Sequence, residues 1–333
     1  DTKALFEGLG VALKTERGNR VFPVSDRADD VADALAELVR KNGVRVIREK
    51  AKRILTDETG AVRAVQTERG EIDCANAVIA TGGLSYPGTG STGDGYRMAK
   101  ELGHTVNTCR PSLVPLESPD KWCREMQGFS LRNVELSAYE DDKLIYKALG
   151  EMLFTHFGVS GPLVLSASAH MRRFGQSKYR LSIDLKPGLD DKKLDARLLR
   201  DFEKYSNREF RNSLGDLAGR AMIPVLVELS GIPGETRTNS VTKQQRAALA
   251  ALLKAFPVSI SGPRPIAEAI ITSGGVATNE VNPRTMGSKL VPGLYFAGEV
   301  LDLDAYTGGY NLQIAWSTAF VAANSLQQGC EDG

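Results

Sequence analysis

Two short apolar strand patterns, each running directly into glycines, constrain this chain more than any other feature. Ala77-Val-Ile-Ala80 leads into Thr81-Gly82-Gly83, and Leu294-Tyr-Phe-Ala297 leads into Gly298-Glu299. Four apolar residues without polar alternation are what a strand covered on both faces requires, the pattern of a parallel sheet. After the second strand, Thr307-Gly-Gly-Tyr-Asn-Leu312 delivers the chain to a long helix pattern. Its apolar residues, among them Ile314, Trp316, Phe320 and Leu326, nearly encircle it, so a helix over 312–327 is expected to be buried all round. The strands stand far apart in sequence, so one α/β domain is expected to be interrupted by a large insertion.

The segments between them change character twice. Residues 1–108 form the first part of the α/β domain. They hold a short strand pattern at Val11 to Leu13 and a helix repeat at Val31, Leu35, Leu38 and Val39, closed by Asn42-Gly43 and capped by Ser25 or Asp26. A strand pattern at Val44 to Ile47 and a meander around Asp57-Glu-Thr-Gly60 and Arg69-Gly70 follow. Residues 109–188 alternate β-rich runs with turn residues and predict a barrel-like insert. Residues 189–256 predict a helical insert with helices at Asp190 to Tyr205, Asp216 to Leu229 (bent at Pro224) and Lys243 to Phe256. Residues 257–330 form the second part of the α/β domain. The chain opens at Asp1, and Thr2 to Val11 reads as the end of a helix, so the native N-terminus is expected to be absent.

Composition excludes several classes. Lys and Arg number 42 against 41 Asp and Glu, for a net charge of +1, which makes no electrostatic case for nucleic acid or an anionic membrane. Cys74, Cys109, Cys123 and Cys330 show neither CxxC spacing nor a neighbouring histidine, so reduced thiols, no metal site and a cytoplasmic location are expected. No apolar stretch approaches the roughly 18 residues that span a bilayer.

The glycine-bearing strand ends carry the chemistry. Small residues at Ala80, Thr81 and Gly82 allow backbone to approach a pyrophosphate or ribose, although a tight βα turn has the same composition. Gly298 clears the way for Glu299 to accept hydrogen bonds from sugar-like hydroxyls. The helix that follows, with Asn311 as a cap-type residue, aims its positive end at the same place, which favours a reduced flavin at its N1–C2=O edge. Lys50-Ala51-Lys52 can offer backbone to an adenine. Gly88-Thr-Gly90-Ser-Thr-Gly93 matches GxGxxG, but Leu84-Ser-Tyr-Pro87 separates it from any strand, so it reads as a glycine-rich entry to a helix that starts at Asp94. His156 reads as a packed, hydrogen-bonded histidine sooner than a proton donor, His104 as structural and His170 as exposed. No Ser/His/Asp constellation stands out, and catalytic residues are not identified.

Thr155-His-Phe-Gly-Val-Ser-Gly-Pro162, Ala80-Thr-Gly-Gly83 with Gly90-Ser-Thr-Gly-Asp-Gly95, and Gly298-Glu-Val-Leu-Asp302 with Tyr306-Thr-Gly-Gly-Tyr-Asn311 resemble the BaiN-like (YhiN-type) bacterial NAD(P)/FAD-dependent oxidoreductases over essentially the whole chain. Phe22-Pro-Val-Ser25 and Ile271-Thr-Ser-Gly-Gly-Val276 fit the same pattern. The resemblance implies an α/β fold: a Rossmann-like FAD-binding domain interrupted by a β-barrel-like insertion and a helical domain. It implies that Glu299 holds the ribityl chain, that Gly309, Tyr310, Asn311 and Leu312 approach the isoalloxazine ring, and that Ala51 faces the adenine. Such proteins begin with a strand, a GGGxxG loop and a helix. Their N-terminal βαβ unit is missing from this sequence, so poor FAD binding and an uncovered sheet are expected of this chain.

The resulting expectation is a FAD-dependent oxidoreductase with NAD(P)H as co-substrate, acting on a small organic molecule such as an enone or oxo-steroid, with neither nucleic acid nor membrane as partner. A FAD-dependent amine oxidase and a non-catalytic flavoprotein scaffold are the alternatives. Oxygen uptake without NAD(P)H would mark the first, and absence of flavin even from the longer protein would mark the second.

Overall fold

The computed structural model describes residues 1–16 and 18–331, with side chains up to Gln327, so Cys330 lies outside the described side chains. In chain order the first stretch reads α1 (Thr2–Gly8), β1 (Leu13–Glu16), β2 (Arg20–Pro23), α2 (Ala28–Lys41), β3 (Ala51–Thr56), β4 (Val62–Thr67), β5 (Glu71–Asp73), β6 (Ala77–Ile79), α3 (Asp94–Glu101) and β7 (Val106–Ser112). The middle stretch reads β8 (Leu116–Glu117), α4 (Lys121–Glu125), β9 (Ser130–Glu140), β10 (Lys143–Thr155), β11 (Gly158–Ser160), α5 (Pro162–Ser168), β12 (Tyr179–Asp184), α6 (Asp191–Lys204), α7 (Ile223–Ser230), α8 (Lys243–Lys254), β13 (Phe256–Ile260) and β14 (Gly262–Pro263). The last reads β15 (Ile271–Val276), β16 (Leu294–Phe296) and α9 (Tyr310–Glu331). Two compact units divide these elements: Asp1–Arg110 with Ile270–Gly333, and Pro111–Ala269.

The first unit is built on the two strands that dominate the sequence. β6 and β16 pair in parallel with Ile79 opposite Phe296, and the Ala297 N–H donates to the Ile79 carbonyl at 3.1 Å. β15 pairs with β7, and β3, β4 and β5 form an antiparallel meander. Ile79, Tyr96, Val276, Phe296 and Val300 lie in one buried cluster. Of the helix residues in this cluster, Tyr96 and Ala99 stand one turn apart on α3, the spacing that places them on one face.

A polar row around buried His104 ties parts of this unit together. His104 presents one ring nitrogen to Glu280 (Nδ1 to Oε2, 3.1 Å) and the other to Ser288 (Nε2 to Oγ, 2.8 Å). The order Glu–His–Ser resembles a nucleophile triad, but the Ser288 oxygen already accepts the N–H groups of Leu290 at 3.0 Å and Val291 at 2.9 Å. Its hydroxyl proton therefore points at His104, and its lone pairs are used. Its role is structural. The network is satisfied only by a neutral imidazole that donates to Glu280 and accepts from Ser288. Burial accordingly pushes the His104 pKa down, while the hydroxyl and N–H of Thr105 hold Glu280 below the usual carboxylate range. A histidine whose folded pKa lies below its unfolded value contributes stability fully above the unfolded value, about 6.5. That contribution falls as the pH drops towards the folded value. Urea unfolding at pH 7.5 and 5.5 should show this loss, and a His104→Gln variant should show a weaker one. Equal pH dependence in both proteins would remove His104 as the cause.

The second unit contains a closed barrel. Its sheet runs β13-β12-β9-β10-β11-β8-β14, and the two outermost strands are consecutive pieces of one chain segment. Phe256–Ile260 pairs with β12, the chain turns at Ser261, and Gly262–Pro263 pairs with β8. The Ser261 N–H donates to the Glu117 carbonyl at 2.9 Å, which completes the closure. Closure leaves no free edge strand. Register shifts in the β9–β10 pair between Leu144 and Tyr146 and between Gly150 and Met152 supply the curvature. Leu136, Ala138, Phe154, Leu181, Ile183 and Phe256 fill the interior together with residues of α6, α7 and α8.

Several expectations are corrected. The helix expected to be buried all round runs from Tyr310 and leaves Leu312 63% and Phe320 67% exposed. It packs on one side only: Ala322 is buried, Thr318 Oγ1 accepts the Gly298 N–H at 2.9 Å, and the Trp316 ring meets Phe6 edge-on at 5.4 Å. Val44 to Ile47 forms no strand, since no neighbouring strand pairs with it, and Val46 is 70% exposed. Pro224 does not bend a helix; it stands in the first turn of α7, where its missing N–H costs nothing. α2 is preceded by Arg27 in extended backbone, with no side-chain cap from Ser25 or Asp26. His156 is exposed at the β10–β11 turn, edge-on to Phe157, and is not packed. His170 is half-buried against Tyr146 and is not exposed.

Candidate functional site

Because β6 and β16 run parallel and in register, the residues just beyond them emerge side by side. Ala80, Thr81 and Gly82 leave β6 as Gly298 and Glu299 leave β16. The carboxyl end of a parallel pair is where α/β sheets hold ligands, because the loops diverge there.

Thr272, the second residue of β15, joins the two loops. Its backbone N–H donates to Glu299 Oε1 at 2.7 Å. Its hydroxyl oxygen accepts the Leu84 N–H at 2.7 Å and lies 3.1 Å from Ser85 Oγ. Thr272 is 1% exposed, so these bonds are shielded from water. Gly83 completes the clamp: a Cβ there would collide with Thr272 Oγ1 and stand 2.5 Å from Glu299 Oε1. Tyr96 donates its hydroxyl to the Glu299 carbonyl at 3.3 Å, and burial raises the Tyr96 pKa far above its ordinary value, so it stays a donor. One carboxylate oxygen of Glu299 is thus fixed, while Oε2 has no hydrogen bond among the described residues.

α9 packs on Gly298 through Thr318. Gly308 and Gly309 enter it with φ 123° and 91°, and no atom lies within 4 Å of the place a Gly309 side chain would take. Asn311 does not cap this helix. Its amide turns back to Ala305, accepting that residue's N–H and donating to its carbonyl, both at 2.8 Å. Asn311 therefore shapes the loop, and its side chain is not the cap of the helix. Tyr310 and Leu312 are exposed beside it. Asp302 and Asp304 are tied to Asn107 and Ser273.

Ala51 opens β3 at a different place, beside the start of α3, where Lys50 pairs with Asp94 at 3.2 Å and Arg97 donates to the Lys52 carbonyl. The GxGxxG run has no strand before it: β6 ends at Ile79, and Gly93 enters α3 in a left-handed conformation. Thr81 Oγ1 is buried without a partner among the described residues, in space that Gly95 leaves free. Sequence reasoning missed the role of Thr272. Its only signal was its place in the Ile271–Val276 run, whose glycines draw the eye away from it.

A FAD molecule fits these residues in specific ways. Glu299 Oε2 would be free to accept from sugar hydroxyls, Gly298 and Gly309 would give clearance, and the start of α9 would offer N–H groups to an anionic edge. Among the described residues no cluster of His, Cys, Asp and Glu can hold a metal ion, and no helix is long and apolar enough to cross a membrane.

Residues 1–325 match the family described as HI0933-like protein Rossmann domain. The ribosomal RNA dihydrouridine synthase of Escherichia coli (strain K12) is 32% identical over 318 residues, covering 95% of this chain and 76% of that protein. The protein of the same name in Haemophilus influenzae is 32% identical over 335 residues, covering 98% and 80%. The 3-dehydro-bile acid delta(4,6)-reductase of Clostridium scindens is 28% identical over 333 residues, again covering 98% and 80%. Among solved structures, the open conformation of a flavocytochrome c3 fumarate reductase overlays with a TM-score of 0.40 at 15% identity, across 96% of this chain and 60% of that one, a likeness too distant to argue from.

Proposed function

Since the chain belongs to the HI0933-like family, we propose that it is a FAD-dependent oxidoreductase that saturates a carbon–carbon double bond conjugated to a carbonyl group, with NAD(P)H as reductant, in the cytoplasm. The observation that carries this reading is the clamp at the carboxyl end of β6 and β16, in which Thr272 and Gly83 fix one oxygen of Glu299 and leave the other without a hydrogen bond among the described residues.

The relatives supply the reaction class. Dihydrouridine is uridine whose 5,6 double bond, conjugated to a ring carbonyl, has been saturated. A delta(4,6) unsaturation in a 3-oxo steroid is likewise conjugated to a carbonyl. Each reaction adds a hydride to one carbon and a proton to the next while negative charge gathers on the carbonyl oxygen. A uridine in RNA is the first substrate proposed here, because the two relatives at 32% identity bear that name. An oxo-steroid or similar enone is the second, favoured by the exposed apolar side chains Leu303, Tyr306, Tyr310 and Leu312 around the α9 start.

FAD, when bound, supplies the hydride chemistry. The chain's own residues bind and orient. Glu299 accepts from hydroxyls of the cofactor's sugar-like chain. Backbone at Ala80, Thr81 and Gly82 approaches its phosphates. The N–H groups at Tyr310, Asn311 and Leu312 stabilise negative charge on its ring edge. Ala51 offers backbone to the adenine.

Visible absorption of the purified protein after incubation with FAD tests the reading, alone and with an added N-terminal strand–glycine-loop–helix unit. Bound flavin that NAD(P)H bleaches, and that a uridine-containing RNA or a 3-oxo-4-ene steroid reoxidises without oxygen, is the expected result. No flavin in either form would end the flavoenzyme reading. Rapid reoxidation by oxygen with an amine as electron donor would favour an oxidase.

A further inference from the structure

Near-neutral overall charge conceals an uneven distribution. Residues 189–256 carry twelve Lys and Arg against nine Asp and Glu, whereas the rest of the chain carries thirty against thirty-two. Within this helical segment several cations are neutralised: Arg197 by Asp201, Lys204 by Asp216 and Arg246 by Asp195. Arg208, Arg220 and Arg237 have no carboxylate partner among the described residues.

Those three arginines are gathered by tertiary structure. Residues 206–211 run antiparallel to 234–239, tied by Phe210 N–H to the Thr236 carbonyl at 2.8 Å, Thr238 N–H to the Arg208 carbonyl at 3.0 Å and Arg211 N–H to the Gly234 carbonyl at 3.1 Å. Arg208 and Arg237 lie along this ribbon, and Arg237 donates to the Asn207 carbonyl, which orients it. At one end the ribbon borders a cleft of about 440 Å³ whose other wall is Arg220 and the first turns of α7. Ile223, Pro224 and Val227 give the cleft an apolar wall. Arg211 stands across from them, pinned by Glu209 at 2.9 Å and Glu235 at 3.1 Å, so its charge is compensated, while Arg220 has no carboxylate partner among the described residues. Beside the ribbon, Arg208 and Lys204 both lie 4.8 Å from the centre of the Tyr205 ring.

We propose that this ribbon and cleft of the helical segment form a docking surface for the sugar–phosphate backbone of RNA, with an unstacked base against Ile223, Pro224 and Val227. The proposal rests on the RNA reading of the preceding subsection and assigns it a second contact region. Unpaired arginines suit phosphates, since a guanidinium offers several donors in a fixed plane. An apolar wall rimmed by cations suits a base, whose faces stack while its linkage remains charged. An acidic protein segment would find the charges but no use for a cleft of this size.

The test is filter binding of a uridine-rich single-stranded RNA across a salt series, with wild type and an Arg208→Ala/Arg220→Ala double variant. Both side chains are exposed, so the fold should be unaffected, which urea unfolding checks. Loss of two phosphate contacts should weaken binding at least about tenfold and flatten the slope of log K against log salt by about 1.4, since each contact to a single strand contributes about 0.7. An Arg208→Lys/Arg220→Lys variant should recover most of the slope. Wild type and variant binding RNA equally would overturn this surface and leave the RNA reading standing. Wild type failing to bind RNA even at low salt would overturn both. Binding of heparin with the same affinity and the same response to the variants would overturn RNA recognition here in favour of a general polyanion patch.

Discussion

Gly83→Ala is expected to displace Glu299 and to weaken binding of the proposed FAD by about tenfold to a hundredfold. The added methyl has nowhere to go: its position collides with Thr272 Oγ1 and lies 2.5 Å from Glu299 Oε1. Thr272 cannot retreat, because its hydroxyl accepts the Leu84 N–H and its backbone belongs to β15. Glu299 is the more mobile side chain and moves first. Overpacking of a buried site costs about 1–3 kcal/mol, and each 1.4 kcal/mol transferred to binding is about a factor of ten. Thr272→Val separates the two effects, since it keeps the volume but orphans the Leu84 and Ser85 donors at a cost of about 1–3 kcal/mol. Flavin titration by absorbance together with urea unfolding reads both. If Gly83→Ala binds flavin and unfolds as wild type does, the clamp is not what holds Glu299.

Gly274→Ala is expected to destabilise the first unit by about 2–6 kcal/mol, a large share of the roughly 5–15 kcal/mol that holds an ordinary domain together. Two costs coincide at this residue. Its φ of 98° is a conformation that side-chain-bearing residues rarely adopt, and a Cβ would collide with the Thr108 carbonyl oxygen and stand 3.0 Å from Cys109 Cα. The strain contributes about 1–3 kcal/mol and the overlap a similar amount. Gly103→Ala is the control: its φ is 89°, but nothing lies within 4 Å of the new methyl. It should cost only about 1–2 kcal/mol. Calorimetry should show the Gly274 variant melting well below the Gly103 variant. Equal melting temperatures would mean that the β7–β15 approach tolerates a side chain.

The two substitutions mark where sequence reading stops. The apolar runs at Ala77 and Leu294 announced parallel strands, and β6 and β16 are parallel with Ile79 opposite Phe296. Asp190 announced the start of α6, and its carboxylate does accept the Lys193 N–H. These features are legible because their causes lie within a few residues. The His104–Glu280–Ser288 row was invisible because its members are brought together only when the turn between α3 and β7 packs against the 278–291 segment. A net charge of +1 is an average over the chain and does not tell which charges remain unpaired on one ribbon.

The sequence by itself determined the alternation of strand and helix, the glycine-bearing strand ends, and the family to which the chain belongs. All of these are written in local periodicity and in residue types that the backbone needs at particular turns. Only the tertiary structure decided that Asn311 turns back to Ala305, that one face of α9 is covered while Leu312 and Phe320 face outward, and that Thr272 joins the two halves of the site. An apolar helix pattern records which residues prefer burial but not which neighbour arrives to bury them. A threonine hydroxyl acquires its role only when residues 188 positions apart are brought within 2.7 Å.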